Sequence, residues 1–107
     1  MKVEVLSVPD CPTHAAAVKL VSDILISERV AAPVHEIVVA DTKMAAALRF
    51  LGSPTIRING SDVAGEPRLD ATFGLACRLY SGSEHAGLPP ADLVRRAVRR
   101  AREELDL

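Results

Sequence analysis

Over the first forty residues, the spacing of hydrophobic residues changes from that of a strand to that of a helix and then returns to that of a strand. Apolar and polar residues alternate over 2–8 (KVEVLSV), which predicts a β-strand. Over 12–29 the apolar positions recur at helical spacing, which predicts an amphipathic helix with Pro12 in its first turn. Residues 34–40 (VHEIVVA) are rich in β-branched side chains and predict a second strand. A strand, a helix and a strand in this order predict a parallel pair with a right-handed crossover.

The middle of the chain predicts a short helix and a third strand. Asp41 is a favourable N-cap for a helix over 42–51, and Gly52 is expected to end that helix. The sequence PTIRIN at 54–59 then predicts the third strand.

The second half of the chain predicts a hairpin and two further helices. Asn59-Gly60 is a strong turn signal, so 61–65 is expected to return as an antiparallel fourth strand. Apolar spacing predicts helices over 70–81 and over about 90–105. The fold class is therefore α/β, with a four-stranded mixed sheet in the order βαβαββα and an extra C-terminal helix.

Length and composition agree with one globular domain. The chain has 107 residues, of which 49% are hydrophobic and 25% are charged. We expect a single domain over 1–107, with its core in about 1–80 and the extra helix at about 90–105. Its two cysteines are too few for a disulfide framework.

The charge pattern favours neither nucleic acid nor a membrane as a partner. Thirteen basic residues balance fourteen acidic ones, for a net charge of −1. The arginines at 95–102 alternate with an apolar stripe and are followed by acidic residues, which is typical of a solvated helix face. There is no long apolar segment and no signal peptide, so we expect a cytoplasmic protein with reduced thiols. The oligomeric state stays open.

Cys11 is the first candidate for chemistry because it lies where a strand meets a helix. A helix N-terminus carries about half a positive charge and unpaired N–H groups, which stabilise a thiolate. His14, one helical turn further on, is a candidate hydrogen-bonding partner for the thiol. The alternative is a buried cysteine in a turn, without chemistry.

Cys77 is the second candidate. It can serve as a resolving thiol for Cys11, as a second ligand for a soft metal ion, or as a small core residue. A disulfide between the two cysteines would need Cα atoms within about 7 Å. The sequence leaves these alternatives open.

The motifs CPTH at 11–14 and GSPTI at 52–56 resemble those of the thioredoxin fold. The resemblance covers about residues 1–80. It implies a cis-proline at Pro54 that faces a reactive Cys11. It also implies a substrate-binding surface, and no cofactor. The residues implied for that surface are Pro12, Thr13, Ser53, Pro54 and Thr55.

A narrower resemblance rests on RFLGSPTIRING at 49–60 and LACRLY at 75–80. These segments are similar to a group of small bacterial thioredoxin-like proteins, some of them labelled alkylmercury lyase-like. Organomercurial lyases use a cysteine, an acidic residue three positions later and a distant second cysteine. His14 stands here in place of that acid, and also in place of the second cysteine of a thioredoxin CxxC motif.

Three functions follow as hypotheses. The first is thiol–disulfide exchange through Cys11, with His14 and Cys77 as further catalytic residues and a protein or small thiol as the partner. The second is soft-metal binding of the mercury type or organomercurial lyase-like activity, with the metal ligands unknown. The third is a non-catalytic binding domain on a thioredoxin-like fold.

Overall fold

A computed structural model describes residues 1–65, 71–76, 78, 80 and 87–105. The elements follow one another as a βαβ unit, a short helix, a hairpin and a final helix. Their bounds are β1 Val3–Ser7, α1 His14–Ser27, β2 Val34–Val38, α2 Thr42–Ala47, β3 Thr55–Ile58, β4 Ser61–Asp62 and α3 Ala91–Leu105. The described chain is thus mixed α/β with three helices, and its four strands confirm the predicted ones.

The four strands form one mixed sheet in the order β2-β1-β3-β4. Strand β1 pairs in parallel with β2, with Val5 opposite Glu36 and Ser7 opposite Val38. It pairs antiparallel with β3, which turns into β4. The turn at Asn59 and Gly60 has positive φ at both residues (52° and 83°), which confirms the predicted hairpin.

Helices cover both faces of the sheet. Odd-numbered residues of β1 point to the face covered by α1 and α3, because side chains alternate along a strand. That layer holds the larger buried cluster: Val3, Val5, Ala17, Val21, Ile24, Leu25, Ile56, Ile58, Val63, Val94, Val98 and Ala101. On the other face, Leu6 and Phe50 pack with Ala45 of α2 and with Val39. The final helix therefore belongs to the core, which extends beyond the expected 1–80.

Both of the first two helices are shorter than predicted. Helix α1 begins at His14, so Pro12 lies in the preceding turn and not in the first turn of the helix. Helix α2 ends at Ala47 and not at the predicted Gly52, although Asp41 caps it as expected by accepting from the Met44 N–H. The early end is a Schellman motif with Arg49 in the left-handed conformation (φ 54°).

The prediction of a helix over 70–81 is wrong for the residues described there, which are 71–76, 78 and 80. The backbone groups of Ala76 and Arg78 bond to Ser53 and not to a neighbouring turn of helix. Leu75, one of the apolar residues in that spacing, is 37% exposed. A long-range backbone pairing has therefore prevailed over the local apolar spacing.

Candidate functional site

Cys11 lies in the connection between β1 and α1. Pro9 and Asp10 form a tight turn there, which the Cys11 N–H closes by donating to the Val8 carbonyl at 3.3 Å. Proline suits the first central position of such a turn, and Asp10 adopts the positive φ (58°) that its second central position requires. The turn leaves the Cys11 side chain partly exposed just before the helix begins.

The environment of the Cys11 sulfur has opposing effects on its pKa. Partial burial raises the pKa, but hydrogen bonds from the Ser53 and Thr13 hydroxyls and from the backbone N–H groups of Thr13 and His14 lower it. The Thr13 Oγ1 lies 3.4 Å from the sulfur. The net result is a pKa below the ordinary cysteine value. A thiol held in this way ionises more readily than a free cysteine.

Ser53 connects Cys11 to the loop before β3. Its side chain is 1% exposed, and its Oγ accepts the Val8 N–H at 3.0 Å, so its own hydrogen is free for the Cys11 sulfur. The Ser53–Pro54 peptide bond is cis. The bond from Val8 joins the loop before β3 to the chain three residues before Cys11, and the expectation that Pro54 faces Cys11 stays a prediction.

The residues predicted to bind substrate differ in their access to solvent. Pro12 is exposed and Thr13 is partly exposed. Ser53, Pro54 and Thr55 are buried, and Thr55 Oγ1 donates to the Gly52 carbonyl at 2.6 Å. Only the first two therefore offer side-chain surface to a partner in this conformation. Substrate binding at these five positions stays a prediction.

The chain itself covers the loop around Pro54. The Ser53 N–H donates to the Ala76 carbonyl at 2.9 Å, and the Ser53 carbonyl accepts the Arg78 N–H at 3.0 Å. The Tyr80 hydroxyl donates to the Pro54 carbonyl at 2.7 Å. Burial raises the pKa of Tyr80 well above its usual range, so this hydroxyl keeps its proton. An extended partner chain could pair with Ser53 only by displacing this segment.

His14 does not make the predicted side-chain contact with Cys11. Its Nδ1 lies 2.6 Å from Ser7 Oγ, and its Nε2 lies 2.6 Å from Glu36 Oε1. Both ring nitrogens are therefore used by other partners, and only the His14 backbone N–H serves the Cys11 sulfur.

Ser7 and Glu36 were missed by the sequence reasoning, yet the register of the strands accounts for both. Ser7 shares a face of β1 with Val5, and Glu36 lies opposite Val5 on β2. Helix α1 crosses this face and begins with His14, so both side chains converge on its ring. The useful signal would have been a polar residue on the helix-covered face of each parallel strand, at the end of β1 and in the middle of β2.

Cys11 and His14 line the same groove, which has a volume of about 180 Å³. The other residues that line it are Ser7, Val8, Pro9, Asp10 and Val38. Val38 is 57% exposed, so one wall of the groove is apolar and open to solvent. The groove is large enough for a few atoms on either side of a sulfur, but not for a large cofactor.

Cys77, the predicted second thiol, lies outside the described residues, so its part in the site stays a prediction. Within 1–65, 71–76, 78, 80 and 87–105, no group of three or more histidine, cysteine or acidic side chains is arranged to hold a metal ion. In the same part of the chain, no helix is both long enough and apolar enough to cross a lipid bilayer.

Comparisons with protein-family models, with curated protein sequences and with solved structures gave no match to this chain. The interpretation of the site therefore rests on its own geometry and chemistry.

Proposed function

We propose that this is a thioredoxin-like thiol protein that carries out thiol–disulfide exchange through Cys11. The observation that carries the proposal is the Cys11 sulfur itself, which is partly exposed and surrounded by hydroxyl and N–H donors that lower its pKa. A thiolate is the nucleophile in exchange, so a site that lowers the pKa of the thiol increases the thiolate fraction and favours attack on a disulfide.

The topology supports the thioredoxin-like part of the proposal. A βαβ unit is followed by a short helix and an antiparallel hairpin, with β1 and β3 at the centre of the sheet. The reactive residue follows β1, and the cis Ser53–Pro54 bond precedes β3. The Val8 N–H in the first connection donates to Ser53 Oγ in the second, which supports a site of the kind that the resemblance implies.

The exchange step conserves atoms and electrons. The Cys11 thiolate attacks one sulfur of a partner disulfide, a new sulfur–sulfur bond forms, and the old bond breaks with its electron pair on the second partner sulfur. That sulfur then takes up a proton and leaves as a thiol. A second thiol must then attack the mixed disulfide to release Cys11, and Cys77 or a small thiol in solution is the proposed source.

Mass spectrometry of the reduced protein tests the proposal. Oxidised glutathione should add one glutathione to Cys11, faster than to a model cysteine peptide at pH 7. Cys11→Ser should abolish the fast adduct, whereas Cys77→Ser should form it and release it more slowly. A Cys11 that reacts no faster than the peptide would overturn the proposal.

A further inference from the structure

A continuous chain of hydrogen bonds joins the protein surface to the groove beside Cys11. Glu36 Oε1 contacts His14 Nε2 at 2.6 Å, and His14 Nδ1 contacts Ser7 Oγ at 2.6 Å. The side chain of Glu36 is 57% exposed and that of His14 is 27% exposed, whereas Ser7 as a residue is 2% exposed. The chain therefore runs from solvent to a buried hydroxyl at the groove.

The chemistry of the three groups sets the direction of the hydrogen bonds. An ionised carboxylate only accepts, so the Nε2 that faces Glu36 carries a hydrogen. A neutral ring then accepts the Ser7 hydroxyl hydrogen at Nδ1. In a protonated ring, Nδ1 donates to Ser7 Oγ instead, and the Ser7 hydrogen is free to turn toward the groove. Protonation of His14 thus presents an acidic hydrogen beside Cys11.

The proposed exchange has one step that needs such a hydrogen. A thiol of high pKa leaves slowly as a thiolate, and a proton donor in the transition state removes that penalty. The groove walls at Val8, Pro9 and Val38 carry no acidic side-chain hydrogen. Asp10 is the other ionisable side chain that lines the groove besides Cys11 and His14, and it is exposed on the turn.

We propose that Glu36, His14 and Ser7 form a proton relay that protonates the thiolate leaving from a disulfide attacked by Cys11. The leaving sulfur takes the Ser7 hydrogen, Ser7 takes the hydrogen of His14 Nδ1, and neutral His14 regains a proton from water. Glu36 is a positioning residue that orients the ring. This inference rests on the proposed function and adds the route by which its proton arrives.

Two neutral disulfides that differ in their leaving thiol distinguish protonation of the leaving sulfur by the relay from nucleophilic attack by Cys11. Thiopyridone leaves from 2,2′-dipyridyl disulfide without a proton donor, whereas 2-mercaptoethanol, which leaves from bis(2-hydroxyethyl) disulfide, is a poor leaving thiol. The reaction of Cys11 with each is followed in a Cys77→Ser background. His14→Gln and Ser7→Ala should slow the reaction with the second reagent by about tenfold or more, and that with the first by less than about twofold.

Variants of Glu36 and Asp10 test whether the effect is specific to the relay. Glu36→Gln should slow the reaction with bis(2-hydroxyethyl) disulfide relative to that with 2,2′-dipyridyl disulfide. Glu36→Asp should restore part of the lost rate. Asp10→Asn changes the other acid of the groove and should leave the ratio of the two rates unchanged. If one variant fails to fold, as judged by circular dichroism, the rate ratios of the variants at the other two positions test the relay.

Three results would contradict the proposals, and each of them contradicts a different part. Equal slowing with both reagents would reduce the three residues to a structural role. No slowing with bis(2-hydroxyethyl) disulfide would remove the relay outright. A parent protein whose Cys11 fails to react even with 2,2′-dipyridyl disulfide would overturn the proposed function itself.

Discussion

The two side chains that lower the pKa of Cys11 come from its own connection and from the loop before β3. Burial alone would raise the pKa, but Ser53 and Thr13 each bring a hydroxyl to the sulfur. The Ser53 hydroxyl is held in position because its oxygen accepts the Val8 N–H. It is therefore a preorganised donor, in contrast to a hydroxyl that is free to rotate in solvent.

Removal of this donor should make Cys11 less acidic. We predict that Ser53→Ala raises the Cys11 pKa, which pH-dependent alkylation by iodoacetamide measures directly. The variant should also lose about 1 kcal/mol of unfolding free energy, because the Val8 N–H loses its acceptor. Ser61→Ala, which removes an exposed hydroxyl, is the control. An unchanged alkylation profile in Ser53→Ala would contradict the assignment of Ser53 as a donor.

Gly87 lies against the side chain of Thr13, which supplies the second hydroxyl beside the Cys11 sulfur. Its φ is 81°, and a Cβ built on it would lie 3.0 Å from Thr13 Oγ1. Gly87→Ala should therefore displace the Thr13 hydroxyl and slow Cys11 alkylation at neutral pH. Gly60→Ala is the matched control, because Gly60 has nearly the same φ (83°) but open space around the added carbon. Both should cost about 1 kcal/mol of stability, and equal alkylation rates in the two variants would refute the prediction.

At the scale of secondary structure, one buried ion pair holds the segment after the hairpin against the sheet. Arg78 and Asp62 lie 2.6 Å apart, with side chains 10% and 6% exposed. The same Arg78 guanidinium bonds Thr55 Oγ1 at 3.2 Å and lies 4.5 Å from the centre of the Tyr80 ring. These contacts reinforce the backbone pairing with Ser53 and fix the chain beside the loop that contacts Cys11.

Loss of one charge of this pair should be costly. Asp62→Asn can keep the bond from the Ala64 N–H but leaves the Arg78 charge buried without its partner. We predict a loss of about 3 kcal/mol in unfolding free energy, measured by urea denaturation. Addition of Arg78→Met should recover part of that loss, because the stranded charge is removed. Two losses that simply add would show that the pair is not coupled.

The same segment shows which parts of the fold the sequence could predict. Alternation predicted β1, helical spacing predicted α1 and β-branched residues predicted β2, because each of these signals lies within the element itself. The turn at Asn59 was predictable because its chemistry is local. The left-handed turn at Arg49 that follows α2 and the pairing of Ala76 with Ser53 were not predictable. The first uses a residue that rarely adopts positive φ, and the second depends on distant partners.

The site was predictable to a similar extent. Cys11 and the loop at Pro54 could be associated only by resemblance, and the structure joins that loop to the Cys11 connection through the Val8–Ser53 bond. His14 was selected as a partner of the Cys11 thiol; it lines the same groove, but its side-chain partners were missed. The Ser7 and Glu36 contacts follow from the register of two parallel strands, which the sequence does not specify.

At the scale of the whole molecule, Glu28 joins the end of α1 to the final helix. Its carboxylate accepts hydrogen bonds from Arg99 and its backbone carbonyl accepts one from Arg102 at 2.6 Å. Two arginines of the basic run therefore have an internal role. This connection supports the packing of Val94 and Val98 in the core, on the same face of the sheet as His14 and the groove.

The charge of Glu28 should make this connection pH-dependent. The hydrogen bond from Arg99 lowers the pKa of Glu28, so the folded state binds a proton at this carboxyl less readily than the unfolded state, whose value is about 4.3. The stabilisation is fully present above that value and is lost as the pH falls through the lower, folded-state pKa.

Glu28→Gln should therefore be less stable than the parent at pH 7, and the difference should shrink as the pH falls and vanish below the folded-state pKa. Urea denaturation at several pH values measures it. Asp23→Asn removes an exposed carboxylate of α1 that pairs with Lys19, and its effect at pH 7 should be much smaller. A Glu28→Gln difference that is constant with pH would show that packing, and not charge, joins the two helices.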